Sequence, residues 1–300
     1  MKRFSQTLIA ATTIASITPL VAAPMAQAAT PDDSSLKVFS EFTVDSITAR
    51  VTRGINLNED PTGSLGAFSD FYYNDGVQTI DFNSAPEAVE GQQNVYTFGN
   101  ENVVFSFENG LGGAGTEGEK LTQIREDGYA PTGANGERNT SEYLSVFNGN
   151  ALTIDLADNL NYFGVNWGAL SENNTFEFFN VDESGSETSL GLFNYATLFG
   201  NGTDSRLPTQ VGHQGDEGNG YVHFYASETE GLFNRIKVSE VSTGGGFETD
   251  NYSLRFSDQS FDFDSEVDAA KVPEPSALIG LGAIVAGLAT RRRKSSEVAA

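Results

Sequence analysis

The sequence predicts an all-β protein: a single β-sandwich or jelly-roll-like ectodomain, with an N-terminal signal peptide and a short C-terminal transmembrane helix. Three observations carry the ectodomain part. Apolar residues recur with a period of two and not 3.6, as in strands with one buried face. Aromatic and β-branched residues fill those runs, while glycine, asparagine and aspartate punctuate them. No window ahead of the C-terminal segment has the spacing of an amphipathic helix.

The strands follow in order. Gln78-Thr79-Ile80-Asp81-Phe82 starts the pattern, and Val103, Phe105 and Phe107 continue it. Leu152, Ile154 and Leu156 alternate with Thr153 and Asp155, and Phe163, Val165 and Trp167 alternate with Tyr162, Gly164 and Asn166. Val222 and Phe224 alternate with Tyr221, His223 and Tyr225. Ile236 and Val238, then Tyr252, Leu254 and Phe256, close the series. Such strands spread over residues 29–262 suit one sandwich with a single core. Two connections are long, Asn109 to Ser141 and Gly200 to Gly220. Loops of that length are usually functional or disordered, so any binding site is expected at the end that carries them. Residues 263–272 read as an acidic, extended spacer.

The two ends address the chain. Residues 1–28 have the parts of a signal peptide: Lys2 and Arg3, an apolar stretch from Leu8 to Ala23, and Ala26-Gln27-Ala28, the small-x-small pattern cut by signal peptidase. At the other end Pro273-Glu274-Pro275 precedes an uncharged stretch, 276–290, and then Arg291-Arg292-Arg293-Lys294 (residues 295–300 are a short tail). Fifteen helical residues span roughly 22 Å against a hydrocarbon core of roughly 30 Å, so this segment is a strained anchor. The basic cluster would stay in the cytoplasm, with the tripeptide on the outer face of the inner membrane. Proline on both sides keeps Glu274 extended and accessible.

Tripeptide, short apolar helix and basic cluster together resemble the PEP-CTERM sorting signal of Gram-negative bacteria, over Val272 to Lys294. The resemblance implies recognition by an exosortase, a membrane transpeptidase-like enzyme, with removal of the tail. Delivery to the cell surface or the extracellular polysaccharide matrix would follow. Within the ectodomain, Asn161-Tyr162-Phe163-Gly164-Val165-Asn166-Trp167-Gly168, Asn174-Thr175-Phe176 and Phe247-Glu248-Thr249-Asp250-Asn251-Tyr252 are similar to the ectodomain of exosortase-dependent surface proteins. That similarity covers roughly Gly76 to Phe256 and brings no catalytic residues with it. Leu36 to Asp75 carries none of it.

Composition narrows the function classes. With 17 basic and 41 acidic residues the formal net charge is −24, which argues against nucleic acid, whose phosphates need lysine and arginine. Absence of cysteine excludes disulfides, thiolate metal sites and a cysteine nucleophile. The end segments 1–30 and 273–300 hold six of the basic residues and two of the acidic ones, so the region between them, at a net −28, is more acidic than the whole chain. Such a surface suits solubility and multivalent cations alike.

Candidate chemistry is sparse. Gly110-Leu111-Gly112-Gly113-Ala114-Gly115 has dinucleotide-loop spacing, but Gly118 falls in the first turn of the helix that motif needs, so it reads as a loop. The two histidines are His213, in a loop near carboxylates, and His223, a strand residue expected on a partly exposed face. No G-x-S-x-G elbow accompanies either. Trp167 is in phase with Phe163 and Val165, which places it in the core rather than on a sugar. Calcium is the better-suited ligand: Glu248, Asp250 and Asn251 begin the last strand. By analogy with jelly-roll carbohydrate-binding modules, Asp81 and Asn83 would join Asp250 and Glu248 as oxygen ligands. Asp250 and Asn251 could equally form a turn that caps strand ends. The expectation is a non-catalytic surface or matrix protein contacting extracellular polysaccharide or cations. The alternative class is a secreted polysaccharide-acting hydrolase, such as a glycoside hydrolase.

Overall fold

A computed structural model describes residues 36–112, 122–147, 149–168, 173–199, 209–210, 218–241 and 246–270. The signal-peptide segment with Ala26 and Ala28, the sorting segment from Pro273 to Lys294, and His213 lie outside the described residues. Among those described, no helix is long and apolar enough to cross a membrane.

The strands are β1 Ser40–Val44, β2 Ile47–Thr52, β3 Val77–Ile80, β4 Glu87–Ala88, β5 Val95–Thr97, β6 Val103–Phe107, β7 Leu111–Gly112 and β8 Thr122–Arg125. They continue as β9 Tyr143–Phe147, β10 Ala151–Gly168, β11 Asn174–Val181, β12 Glu187–Asn194, β13 Thr209–Gln210, β14 Gly218–Tyr225, β15 Phe233–Glu240 and β16 Gly246–Phe256. Two short α-helices, α1 Tyr195–Phe199 and α2 Phe263–Ala270, and a 3-10 turn at Thr229–Gly231 complete the described elements.

The all-β expectation holds, but the strands do not separate into two sheets. All sixteen join in one hydrogen-bonded sheet, because β10 serves two branches. Its first part, Ala151 to Asp155, lies between β6 and β15. Its second part, Tyr162 to Trp167, lies between β14 and β16. The register shifts between Asp155 and Leu160, where Ala157 and Asp158 are exposed, so the strand changes partners at an irregularity. One branch then runs β1-β2-β14-β10-β16-β9-β8-β7, and the other leaves β10 through β15, β11 and β12 on one side and β6, β5 and β4 on the other.

The inward positions of both branches form one apolar cluster. It includes Phe105, Ile154, Phe176, Phe178 and Ile236 from one branch, with Phe163, Trp167, Val222, Phe224 and Leu254 from the other. Phe224 meets the rings of Phe176, Phe178 and Phe193 at centroid distances of 5.3, 4.8 and 5.1 Å. Trp167 is fully buried against Phe176 and Phe247, as its phase predicts.

One expectation fails informatively. The first branch has no solvent-facing side around β14, which is buried at every position. Its second face carries Thr52, Tyr162, Asn166, Tyr221, His223 and Tyr225, and it is covered by the chain at 53–76, 126–142 and 257–270. Loops normally run over a surface, yet Ala130 to Ala134 is buried. The first long connection therefore contains β7, β8 and part of this second layer.

The acidic spacer expected at 263–272 is also corrected, since Phe263–Ala270 is the helix α2. Asp262 caps it: its carboxylate accepts the Ser265 backbone N–H at 3.1 Å and the Ser265 hydroxyl at 2.7 Å. Those bonds hold the Asp262 carboxyl below its usual range. Asp264 and Glu266 in the first turn suit the positive end of the helix.

Candidate functional site

Two buried polar clusters lie on the covered face, each joining the sheet to the layer above. The first centres on His223. Across the sheet His223 stands opposite Arg50 of β2 and Gly164 of β10, with Thr52 and Tyr162 nearby on those strands. Gly164 makes room there: a Cβ would fall 2.4 Å from the Tyr162 hydroxyl and 2.8 Å from Tyr221 Cε1. Tyr162 Oη lies 2.8 Å from His223 Nδ1 and 2.7 Å from Ser69 Oγ. On the other side of the ring, Nε2 lies 3.1 Å from Asp70 Oδ2 and 2.9 Å from Thr52 Oγ1. Thr52 donates its hydroxyl to Asp70 at 2.6 Å.

For a neutral imidazole the hydrogen count assigns one direction to this chain. A carboxylate only accepts, so Nε2 carries the proton and donates toward Asp70. Nδ1 then accepts from Tyr162, which accepts from Ser69, whose oxygen also accepts the Phe71 backbone N–H at 3.0 Å. Every proton in the series has an acceptor. Burial pushes the Tyr162 phenol well above its ordinary range, so it stays a hydroxyl.

His223 is thus fully buried, contrary to the partly exposed position expected for it. Phe71 and Phe263 meet it edge-on at 5.4 and 5.3 Å, and Phe261 stacks on Tyr162 at 4.7 Å. As a hydrolase triad the set is miswired: Tyr162 stands between Ser69 and the imidazole, and Ser69 is itself fully buried. What the geometry does is fasten Ser69, Asp70 and Phe71 of the covering layer to three adjacent strands.

The second cluster centres on Asp250 and Asn251. Asn166 of β10 pairs with Asp250 but Gly164 pairs with Ser253, so Asn251 and Tyr252 together oppose Val165 in a β-bulge. Asn251 takes the left-handed conformation, φ +49°. Its Nδ2 donates to the carbonyls of Leu65 at 2.8 Å and Ala67 at 3.0 Å. Asn139 Nδ2 donates to Pro131 O and to Asp250 Oδ2, both at 2.9 Å. Asn166 Nδ2 donates to Thr132 O at 2.9 Å, and Asn219 Oδ1 accepts the Thr132 N–H at 3.3 Å. Four asparagines thereby satisfy the backbone of the two buried loop segments, which cannot bond to a strand. Gly66 sits where the amides converge.

The four residues expected to bind calcium each have partners of their own, and the charge of Asp81 acts on Asp250. Asp250 is fully buried and accepts from Asn139 and the Asn251 N–H, and burial pushes its carboxyl well above the usual range. Asp81 accepts the Asn83 N–H at 3.1 Å, and Asn83 accepts the Glu142 N–H at 3.1 Å. Glu248 pairs across the sheet with Gly168 and Ser145. Among the described residues no group of three or more histidine or acidic side chains is placed to hold a metal ion.

Sequence reasoning missed Asn139, Asn219, Ser69 and Asp70, all in or against the covering layer. A signal for their counterparts was present. In the stretch Asn161 to Gly168 the positions out of phase with the core are Tyr, Gly and Asn, where a solvated face would show charge. No protein-family model matches the chain, and no curated protein matches it either.

Proposed function

We propose that this is an exported, exosortase-processed cell-surface or extracellular-matrix protein with a non-catalytic structural or interaction role. The observation that carries the proposal is the ordered series at the C-terminus: Pro273-Glu274-Pro275, an uncharged stretch too short for a comfortable anchor, and Arg291 to Lys294. The signal-like segment ending at Ala28 supports the same route. A sandwich-like ectodomain is supported by the single apolar cluster that the two branches of the sheet share around Phe224. The non-catalytic reading draws on His223, whose two ring nitrogens are both engaged within a closed layer. On this reading the acidic surface contacts matrix polysaccharide or solvent.

Intact-mass spectrometry of the protein from its native envelope tests the reading, because it reports both cuts at once. The expected species begins at Ala29 and lacks the tail. With Glu274→Ala the chain should still cross the inner membrane but keep its tail. Equal tail loss in the variant would remove the exosortase assignment. Release of reducing ends from polysaccharide, abolished by one carboxylate substitution, would replace the non-catalytic role with the hydrolase alternative.

A further inference from the structure

The covering layer carries aromatic rings out to the surface beside carboxylates. Phe68 is buried, Tyr72 meets it edge-on at 5.2 Å, and Tyr73 meets Tyr72 at 4.9 Å with the ring planes 88° apart. Tyr73 is 50% exposed. Exposed side chains ordinarily change rotamer freely, but this one is held at its tip. Its hydroxyl accepts the Asn58 N–H at 3.1 Å and donates to Glu59 Oε2 at 3.2 Å. Both phenols feel negative charge. Burial raises the Tyr72 phenol above its ordinary range, and the charges of Glu59 and Asp81 raise it further. Burial and the Glu59 charge push the Tyr73 phenol the same way.

We propose that the corner formed by Tyr72, Tyr73 and the Glu59 carboxylate binds a protonated amino sugar of a polysaccharide, an inference that rests on the interaction role proposed above. The chemistry of the corner selects that ligand. A ring face attracts an ammonium group through its quadrupole. The same face packs against the apolar C–H side of a pyranose. Glu59 supplies the opposite charge and accepts ammonium N–H groups. The tether at the Tyr73 hydroxyl fixes the ring beforehand, so little side-chain freedom is lost on binding. Charge over the whole domain favours the same partner. Residues 31–272 carry a net −28, which draws a polycation in and repels polymers bearing uronate or sulfate.

The test titrates the purified full-length protein with a glucosamine tetramer, its amines protonated, and with the fully N-acetylated tetramer. Salt at about 0.15 M screens diffuse attraction. Calorimetry gives the affinities, and NMR shift changes locate the contact. The deacetylated tetramer should bind and shift the amides of Asn58, Glu59, Tyr72 and Tyr73. The acetylated one should bind at least about fivefold more weakly. Tyr73→Leu keeps an apolar side chain but removes the ring, and should weaken binding about three- to fivefold. Glu59→Gln should do the same, while Tyr73→Phe should stay within about twofold of wild type. Unchanged urea midpoints show that the variants are folded. Equal affinities for wild type and Tyr73→Leu would overturn the site and leave only a diffuse acidic surface. Equal binding of the two tetramers would overturn recognition of the amine. A lysine tetramer bound as tightly as the sugar would make the partner a basic peptide instead. The mass of the protein from its native envelope tests the sorting reading independently, so either can fail without the other.

Discussion

The Tyr162 hydroxyl stands 2.8 Å from His223 Nδ1 and 2.7 Å from Ser69 Oγ, so it links the ring to the covering layer. Its removal should therefore be felt as stability. Tyr162→Phe leaves Ser69 without its acceptor and Nδ1 without its donor, both in a buried setting. The expected cost is about 1–3 kcal/mol. A urea titration should show a lower midpoint with an unchanged slope. An unchanged midpoint would mean that the chain of hydroxyls adds nothing.

Gly66 and Gly91 separate crowding from backbone strain. Both have positive φ, +80° and +76°. A Cβ at Gly66 would lie 2.7 Å from Asn139 Nδ2 and 3.0 Å from the amides of Asn166 and Asn251, whereas at Gly91 it would meet nothing within 4 Å. Gly91→Ala should then cost about 1 kcal/mol, the price of the left-handed backbone alone. Gly66→Ala should cost at least twice that in the same denaturation experiment, since three anchored amides must move. Equal losses would show that the asparagine cluster can shift freely.

Asp250 predicts a pH dependence with a definite sign. Burial raises its carboxyl pKa in the folded protein, so the folded state holds the proton more tightly than the unfolded chain. The associated stability is fully present below the unfolded value, about 3.9, and is lost as pH rises through the raised folded value. Relative to Asp250→Asn, which cannot ionise, the wild type should lose stability on going from pH 4 to pH 8. The slope approaches about 1.4 kcal/mol per pH unit where only the unfolded chain is ionised. Parallel curves for the two proteins would contradict the burial argument.

Divalent ions should act on the acidic surface without discrimination. Asp250 is fully buried and its carboxylate accepts from the Asn139 and Asn251 amides. Calcium and magnesium at equal concentration should raise the melting temperature of residues 29–270 equally, by screening. Asp250→Ala should lower stability without removing any calcium-specific increment. A calcium shift well above that of magnesium, lost in Asp81→Ala or Glu248→Ala, would instead place calcium at these residues.

Much of the fold was legible because the core writes a period of two. Leu152, Ile154, Phe163, Val165 and Trp167 all point inward as their spacing requires. The second layer was not legible. Tyr221, His223 and Tyr225 alternate with Val222 and Phe224, so they read as an outward face. A tyrosine or asparagine suits either water or a covering loop, and only the third dimension decides. The capping of α2 was visible in principle as Asp262 followed by Ser265 and acidic first-turn residues. Its eight residues are too few to show a 3.6-residue apolar period.

The split allegiance of β10 also dictates an order of assembly. Its first part can pair early with β6, but β15 comes later, and both partners of its second part, β14 and β16, come from the last third of the chain. β2 likewise waits for β14, and β3 for β16. A nascent chain that has reached Gly168 therefore holds half a sheet with open edges and no closed core. Native structure is deferred until β16 is available, and pairings of such long sequence separation close slowly. Up to that moment β10 lacks partners along its second part, and the two branches of the sheet can close their shared core only together.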